Sequence, residues 1–175
     1  MTMFARVTER VWRAAIITIS TSKASGEGED QSGPKLAEVA EQLGAEIVGR
    51  DVIADERETI EARLRHWALS ERCELVLTSG GTGVSPSDVT PEATLTVIDR
   101  EIPGIAEAMR EASRAHTPNW MLSRAVAGVC GSSLVINFPG SPRSIEQTAQ
   151  GLLPAVEHAL ALISGAGARH DARPT

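Results

Sequence analysis

The loop at positions 79–90 combines small, hydroxyl-bearing and acidic residues in a pattern typical of an anion site. Three glycines fall within positions 80–83, and residues without a Cβ let backbone N–H groups turn toward a ligand. Asp88 follows, and Thr90-Pro91 is typical of a helix N-cap with proline in the first helical position. Such a helix directs its positive end at the loop. The pattern therefore predicts a site that binds phosphate oxygens.

Two common phosphate motifs do not fit this loop. The P-loop requires Gly-Lys-Ser/Thr after its first glycine and four further residues, and no lysine follows Gly83. The dinucleotide fingerprint requires G-x-G-x-x-G, and Pro86 stands where its third glycine would be. A strand-to-helix turn without a ligand is the alternative. Because such a turn needs fewer residues, the glycines and the carboxylate favour a binding function.

Three other segments follow predicted strands, and they are expected to join the loop with their carboxylates Asp30 and Asp55 and with a further helix N-terminus. The segments are 20–32, the turn at Ala54-Asp55 and 139–142, and carboxyl ends of parallel strands meet at one edge of a sheet. Asp55 and Asp88 each have an alternative role as a helix cap or turn residue. Carboxylates bind Mg²⁺ while amides hold phosphate oxygens. Together these features predict a substrate with several phosphates.

The apolar pattern supplies the elements that position these loops. Short β-branched runs predict buried strands, and apolar residues with a period of 3–4 predict helices that cover them. This alternation indicates an α/β fold with a mainly parallel sheet, to which a late hairpin at Gly131-Ser132 adds an antiparallel strand. The predicted strands are 14–19, 45–53, 73–78, 125–130 and 133–138. The predicted helices are 32–43, one after Asp55 through Ala68, 91–100, 104–115 and 142–163, the last kinked or split at Pro154. Ser32, Asp55 and Ser141 are expected to cap the helices that they precede or begin, and Gly44 is expected to end the first one.

Length and charge limit the classes of function. A chain of 175 residues is expected to form one domain, here 14–163, with an N-terminal extension (1–13) and a disordered tail (164–175). The net charge of −6 disfavours a nucleic-acid partner. No apolar run has the length of a membrane span. We therefore expect no nucleic acid and no membrane among the partners.

Two further features bear on the compartment. Arginines precede the apolar run 14–19 and faintly resemble a signal peptide, but the run is short and no clean cleavage site follows. Cys73 and Cys130 lie in or beside apolar runs, so we expect two reduced core thiols. These features predict a cytoplasmic protein.

The motifs resemble those of a known family. Thr-Ser-Gly-Gly-Thr-Gly at 78–83 and Asp-Val-Thr-Pro-Glu-Ala-Thr at 88–94 are similar to the signature of the MogA/MoaB family of molybdenum-cofactor biosynthesis proteins. Asn-Phe-Pro-Gly-Ser-Pro-Arg-Ser at 137–144 is similar to its second motif. Asp30-x-Ser32-Gly33 and Asp55 also stand where the family has counterparts. The resemblance covers about residues 14–163.

The resemblance implies a fold and an activity. The fold is a three-layer α/β/α molybdopterin-binding domain, usually trimeric. The activity is Mg²⁺-dependent adenylylation of molybdopterin by ATP, which gives adenylyl-molybdopterin and pyrophosphate; a molybdate-insertion enzyme is an implied partner. A pterin-binding carrier or scaffold of the same fold and a nucleotide pyrophosphatase are the alternatives. The insertion enzymes themselves share the fold, but their chains are longer and their glycine loop differs.

The resemblance also assigns roles to residues of this sequence. Asp55 and Asp88 are expected to be catalytic and to hold Mg²⁺. Which loop holds the pterin and which holds ATP stays open. The expected substrate-binding residues lie in the glycine loop and in the flanking motifs: Asp30, Ser32, Thr78, Ser79, Gly80, Gly81, Thr82, Gly83, Thr90, Pro91, Gly140, Ser141, Pro142 and Arg143.

Overall fold

The computed structural model describes residues 11–165. The predicted extension and tail fall largely outside these residues, and β1 begins within the predicted extension, two residues before position 14.

A π-helical segment (His66–Ser70) continues α3, and a 3₁₀ helix spans Trp120–Leu122. The strands are β1 (Trp12–Ile19), β2 (Ala45–Ile53), β3 (Leu75–Ser79), β4 (Arg100–Glu101), β5 (Ala127–Cys130) and β6 (Ser133–Phe138). The helices are α1 (Thr21–Ala24), α2 (Ser32–Gln42), α3 (Arg57–Arg65), α4 (Thr90–Val97), α5 (Pro103–Arg114), α6 (Pro142–Ala149) and α7 (Leu153–Ile163).

The six strands form one mixed sheet in the order β2-β1-β3-β6-β5-β4. The first four of this order run parallel. β5 pairs antiparallel with β6 across a turn at Gly131, whose φ of 58° is left-handed. This confirms the predicted parallel sheet and hairpin. The two-residue edge strand β4, antiparallel to β5, was not predicted.

The sheet is covered on both faces, as a three-layer α/β/α fold requires. Alternate residues of β1 enter different cores: Ala14 and Ile16 pack with α2, α5, α6 and α7, whereas Ala15 and Ile17 pack with α3 and α4. Both positions are shielded from solvent, since Ile16 is 1% exposed and Ile17 is fully buried. The period of two that defines a strand therefore separates the two helical layers. The predicted fold class is confirmed.

Several predicted helix ends agree with the structure. Gly44 follows α2 with a φ of 70°, the left-handed conformation that ends helices. The predicted long last helix is divided, with α6 ending at Ala149 and Pro154 lying in the first turn of α7. Ser141 caps α6 because its hydroxyl accepts the backbone N–H of Ser144 at 3.1 Å.

Three predicted N-caps are wrong, and each side chain has a tertiary partner instead. Glu56, not Asp55, holds the N-cap position of α3. α4 begins at Thr90 itself, and the Thr90 hydroxyl donates to the Gly80 carbonyl at 2.9 Å. The Ser32 hydroxyl donates to the loop after β6. The backbone N–H groups at the start of α2 are bound by a carboxylate, as described below.

Both cysteines are free and buried, as predicted. Burial raises the pKa of the Cys73 thiol to about 11 and also raises that of Cys130. Trp67 packs against the core beneath α3, and its ring lies where a Cβ on Gly49 would be. Between residues 11 and 165, no helix is both long enough and apolar enough to cross a membrane.

Candidate active site

The carboxyl ends of four parallel strands bring the predicted loops to one edge. Ile19 pairs with Ile53, and Ser79 pairs with both Thr18 and Phe138, so the strands end nearly level. The segments after β1, β2, β3 and β6 therefore open on the same side of the sheet. This placement agrees with the expectation drawn from the sequence.

The loops after β1, β3 and β6 are in direct contact. The Ser32 hydroxyl donates to the Gly140 carbonyl at 2.7 Å. Gly140 also passes close to the glycine loop, since a Cβ built on it would lie 3.5 Å from the Gly80 Cα. The Ser79 hydroxyl donates to the Pro139 carbonyl at 3.1 Å. These contacts hold three of the predicted segments in one surface.

The start of the glycine loop is left-handed and tightly packed. Gly80 and Gly81 have φ values of 102° and 64°, and a Cβ on Gly80 would collide with the carbonyl oxygen of Ile19. The Gly81 carbonyl accepts the Thr90 N–H at 3.1 Å. Glycine is therefore required here both by conformation and by space.

Three consecutive backbone N–H groups of this loop lack a protein acceptor. Among residues 11–165, Gly81, Thr82 and Gly83 donate no backbone hydrogen bond to another residue. Successive N–H groups at a turn that contains a left-handed residue, here Gly81, form a concavity suited to anions. The adjacent N-terminus of α4 adds its positive end. The arrangement can bind phosphate oxygens without a basic side chain.

Asp55 lies beside this concavity. Its Oδ2 accepts two hydrogen bonds from Thr21, one from the backbone N–H at 2.7 Å and one from the hydroxyl at 2.9 Å. Its Oδ1 lies 3.4 Å from the position of a Cβ on Gly81, and it accepts no hydrogen bond from residues 11–165. Thr21 therefore fixes one of the two carboxylate oxygens of Asp55.

Asp88 flanks the other side of the loop. Its Oδ2 accepts the Ser85 N–H at 2.8 Å and would lie 2.8 Å from a Cβ on Gly83. Its Oδ1 accepts no hydrogen bond within the described part of the chain. Asp88 is half-buried, as is Asp55. Each carboxylate therefore has one structural oxygen and one oxygen without a protein donor.

The remaining predicted residues divide into buried and exposed groups. Asp30 organises the start of α2, since its Oδ1 accepts the N–H groups of Ser32 and Gly33 at 3.1 and 3.0 Å, and its Oδ2 accepts the Thr18 hydroxyl at 2.8 Å. Thr78, Ser79, Thr82, Thr90 and Pro91 are buried beneath the loop surface, whereas Gly140, Ser141 and Arg143 are exposed and Pro142 is half-buried.

Two residues with a part in this geometry were missed by the sequence reasoning. Thr21 holds Asp55, and its position directly after β1 was a usable signal because strand ends meet at this edge. Arg124 holds the glycine loop through hydrogen bonds to Gly83 and Asp88 carbonyls. No local pattern marked Arg124, because its partners lie 41 and 36 positions away in the sequence.

The donor set fits Mg²⁺ held jointly with a phosphate substrate. The described residues contain no group of three or more His, Cys, Asp or Glu that would hold a metal without help. Mg²⁺ typically takes one or two carboxylates together with substrate phosphates and waters. The Oδ1 atoms of Asp55 and Asp88 accept no hydrogen bond from residues 11–165 and lie next to the glycine loop, so they match that requirement.

A separate cavity does not overlap these residues. It has a volume of about 270 Å³ and lies between α2 and α6, lined by residues that include Lys35, Gln42 and Glu146. None of the predicted site residues is among those that line it. The candidate site is therefore the open surface at the sheet edge rather than this cavity.

The chain is similar to known proteins over most of its length. The family described as "Probable molybdopterin binding domain" matches residues 15–158. The molybdopterin adenylyltransferase of Helicobacter pylori is 38% identical over 152 residues, which cover 86% of this chain and 86% of that protein. The enzyme of the same name from Escherichia coli is 40% identical over 146 residues, 82% of this chain and 74% of its own.

A solved structure gives the same assignment. The molybdopterin biosynthesis enzyme MoaB from Thermus thermophilus superposes with a TM-score of 0.83 at 41% identity, and the match covers 89% of this chain and 98% of that one. The family match runs from Ala15 in β1 through the glycine loop and the motif after β6 into α7. The chain therefore belongs to the MogA/MoaB family of molybdopterin-binding domains.

Proposed function

We propose that this protein transfers the adenylyl group of ATP to molybdopterin, producing adenylyl-molybdopterin and pyrophosphate. The observation that carries the proposal is the row of N–H groups at residues 81–83, which have no acceptor among residues 11–165. Asp55 and Asp88 flank this row, and the Oδ1 atom of each accepts no hydrogen bond from the same residues. The curated relatives named molybdopterin adenylyltransferase support the choice of pterin and nucleotide. The physical argument alone reaches a phosphate-rich ligand with Mg²⁺.

The protein contributes to this transfer by positioning the two reactants and not by forming covalent bonds to them. A phosphate oxygen of molybdopterin attacks the α-phosphorus of ATP, a new P–O–P bond forms, and the bond from the α-phosphorus to the leaving pyrophosphate breaks. Both reactants are anions, so repulsion and orientation dominate the barrier. The N–H groups of 81–83 hold phosphate oxygens, and the start of α4 contributes its positive end. No covalent intermediate with the protein is required.

Asp55 and Asp88 would hold the Mg²⁺ of this reaction through their Oδ1 atoms. The metal would offset the negative charge that gathers on the transferred phosphate. Thr21 keeps the Asp55 carboxylate in place through two hydrogen bonds, and Ser85 does so for Asp88 through one. The protein thus fixes the carboxylates before substrate arrives.

The test is turnover of ATP and molybdopterin with Mg²⁺, with each component omitted in turn. The expected result is adenylyl-molybdopterin and pyrophosphate only when all three are present. A protein that binds pterin but neither binds nor consumes ATP would be a carrier or scaffold. Consumption of ATP without pterin would indicate a nucleotide pyrophosphatase. Either outcome would replace the proposed activity.

The assembly and cellular setting are also proposals. We infer a cytoplasmic homotrimer that passes its product to a molybdate-insertion enzyme, and the resemblance to the MogA/MoaB family supports these assignments. Sedimentation velocity at micromolar concentration tests the first point. A stable monomer under conditions in which the protein is active would remove the trimer from the proposal.

A further inference from the structure

Arg124 donates hydrogen bonds to three backbone carbonyls of the glycine loop, those of Thr82, Gly83 and Asp88. Its backbone N–H donates to the Thr82 carbonyl at 2.8 Å. The side chain donates through Nε to the Gly83 carbonyl at 2.7 Å and through Nη2 to the Asp88 carbonyl at 2.6 Å. One guanidinium therefore spans the segment 83–88, which includes the turn that presents Asp88.

The third nitrogen of the Arg124 guanidinium also donates to a residue of the protein. Its Nη1 donates to Oε1 of Glu92 in the first turn of α4. This hydrogen bond lowers the pKa of Glu92 below its ordinary value, so Glu92 is ionised at neutral pH. Arg124 thus has its charge balanced and three of its nitrogens engaged without any substrate.

We infer that Arg124 is a positioning residue that holds the glycine loop and Asp88 in the geometry that receives phosphate. It acts through the loop rather than by touching substrate. The planar guanidinium donates in three directions at once, which the single ammonium of lysine does not reproduce. The expected effect on rate depends on the proposed adenylyl transfer, whereas the ordering of the loop does not.

The test compares Arg124→Lys with Arg63→Lys. Arg63 is a matched control because its side chain also donates through Nε and Nη2, here both to Asp51, and it is 34% exposed against 37% for Arg124. It lies on α3, away from the glycine loop. Both variants keep the positive charge and lose the guanidinium fork, so a difference between them reports on the loop.

The first measurement is residue-resolved hydrogen exchange. The amides of Ser85, Asp88 and Thr90 each donate a hydrogen bond within the loop or to it. In Arg124→Lys they should exchange about tenfold faster than in the wild type, as loss of a charge-assisted hydrogen bond predicts. In Arg63→Lys they should be unchanged. Glu92→Gln, which weakens the anchor of Arg124, should accelerate the same three amides to a smaller extent.

The second measurement separates kcat from KM for ATP and molybdopterin. A misplaced loop should lower kcat about 100-fold, the typical cost of displacing reacting groups by about 1 Å. Unchanged exchange at the three amides, or a kcat equal to that of Arg63→Lys, would overturn the inference. A rise in KM at unchanged kcat would also overturn it, because Arg124 would then be a substrate-binding cation. If the wild type makes no product, the proposed function fails, and the exchange measurement alone decides the role of Arg124.

Discussion

Of the two carboxylate oxygens of Asp88, Oδ2 accepts a hydrogen bond from the loop, and Oδ1 accepts none from residues 11–165. The Ser85 N–H binds Oδ2 at 2.8 Å, and the amide oxygen of asparagine can accept the same hydrogen bond. We therefore expect Asp88→Asn to leave the melting temperature nearly unchanged. Loss of the charge should lower adenylyl transfer by about 10²–10³, as removal of one electrostatic element of a transition state does. Pterin binding should be largely kept.

The control for Asp88→Asn is Asp99→Asn. Asp99 also accepts a backbone N–H through Oδ2, from Gly131 at 2.6 Å, but it lies at the hairpin end of the sheet. Melting curves, pterin titration and turnover of both variants and the wild type make the comparison. Full activity in a folded Asp88→Asn protein would show that Asp88 is only a turn residue.

Asp55 should respond differently because two hydrogen bonds from Thr21 converge on one of its oxygens. Asp55→Asn weakens two charge-assisted bonds, and we expect a loss of about 1 kcal/mol in the free energy of unfolding. The rate should fall by about 10²–10³. Urea denaturation and turnover measure the two effects separately. A stability loss without a rate loss would show that Asp55 only holds the start of α1 in place and takes no part in the reaction.

At the scale of elements, the connection from β3 into the glycine loop requires glycine at position 80. Its φ is 102°, and a Cβ would collide with the Ile19 carbonyl. Gly80→Ala should therefore cost about 1–3 kcal/mol from backbone strain alone and lower the melting temperature. Gly104→Ala in α5 is the matched control, since nothing lies within 4 Å of its Cβ position. It should be neutral or stabilising by up to about 1 kcal/mol; equal melting temperatures for the two variants would contradict the strain argument.

The element scale also shows what the sequence could and could not predict. Strands, helices and the edge where loops meet follow from apolar periodicity and glycine punctuation, which are local properties. The caps assigned to Asp55, Thr90 and Ser32 were wrong because these side chains form hydrogen bonds with groups outside their own helices. The local sequence pattern carries no information about such partners. β4 was missed for the same reason, since a two-residue strand exists only through its pairing with β5.

The pair that joins α4 to the segment before β5 should make stability depend on pH. Arg124 lowers the pKa of Glu92 in the folded state. The stabilising contribution of ionised Glu92 is therefore complete above the pKa of about 4.5 that this glutamate has in the unfolded chain. It is lost as the pH falls through the lower pKa that Glu92 has in the folded protein. Glu92 is 42% exposed, so the contribution is screened by solvent and should stay under about 1 kcal/mol.

Glu92→Gln tests this dependence. The difference in free energy of unfolding between wild type and Glu92→Gln should be largest at pH 6–7 and should shrink as the pH falls below about 4.5. Urea denaturation at several pH values measures it. A difference that stays constant from pH 7 to pH 3 would mean that the ion pair does not contribute through its charge.

For the whole molecule, the two buried thiols can report on opening of the fold and on ligand binding. Cys73 and Cys130 belong to the core between the sheet and α3–α4, and they are 0% and 1% exposed. Burial raises both pKa values, and a thiol reacts as the thiolate. At pH 8 a disulfide reagent should therefore label neither residue until the helical layer separates from the sheet.

A ligand at the carboxyl edge should slow this labelling, although it touches neither cysteine. A ligand that binds only the folded state at 100 times its Kd stabilises that state by about 2.7 kcal/mol, so the open population falls about 100-fold. ATP with Mg²⁺, or molybdopterin, should slow labelling of both thiols by that factor if opening is global. Labelling that is unchanged at saturating ligand would show that the thiols react through local fluctuations of the α3–α4 layer. Equal slowing of both thiols would show that the site edge and this core open as one cooperative unit.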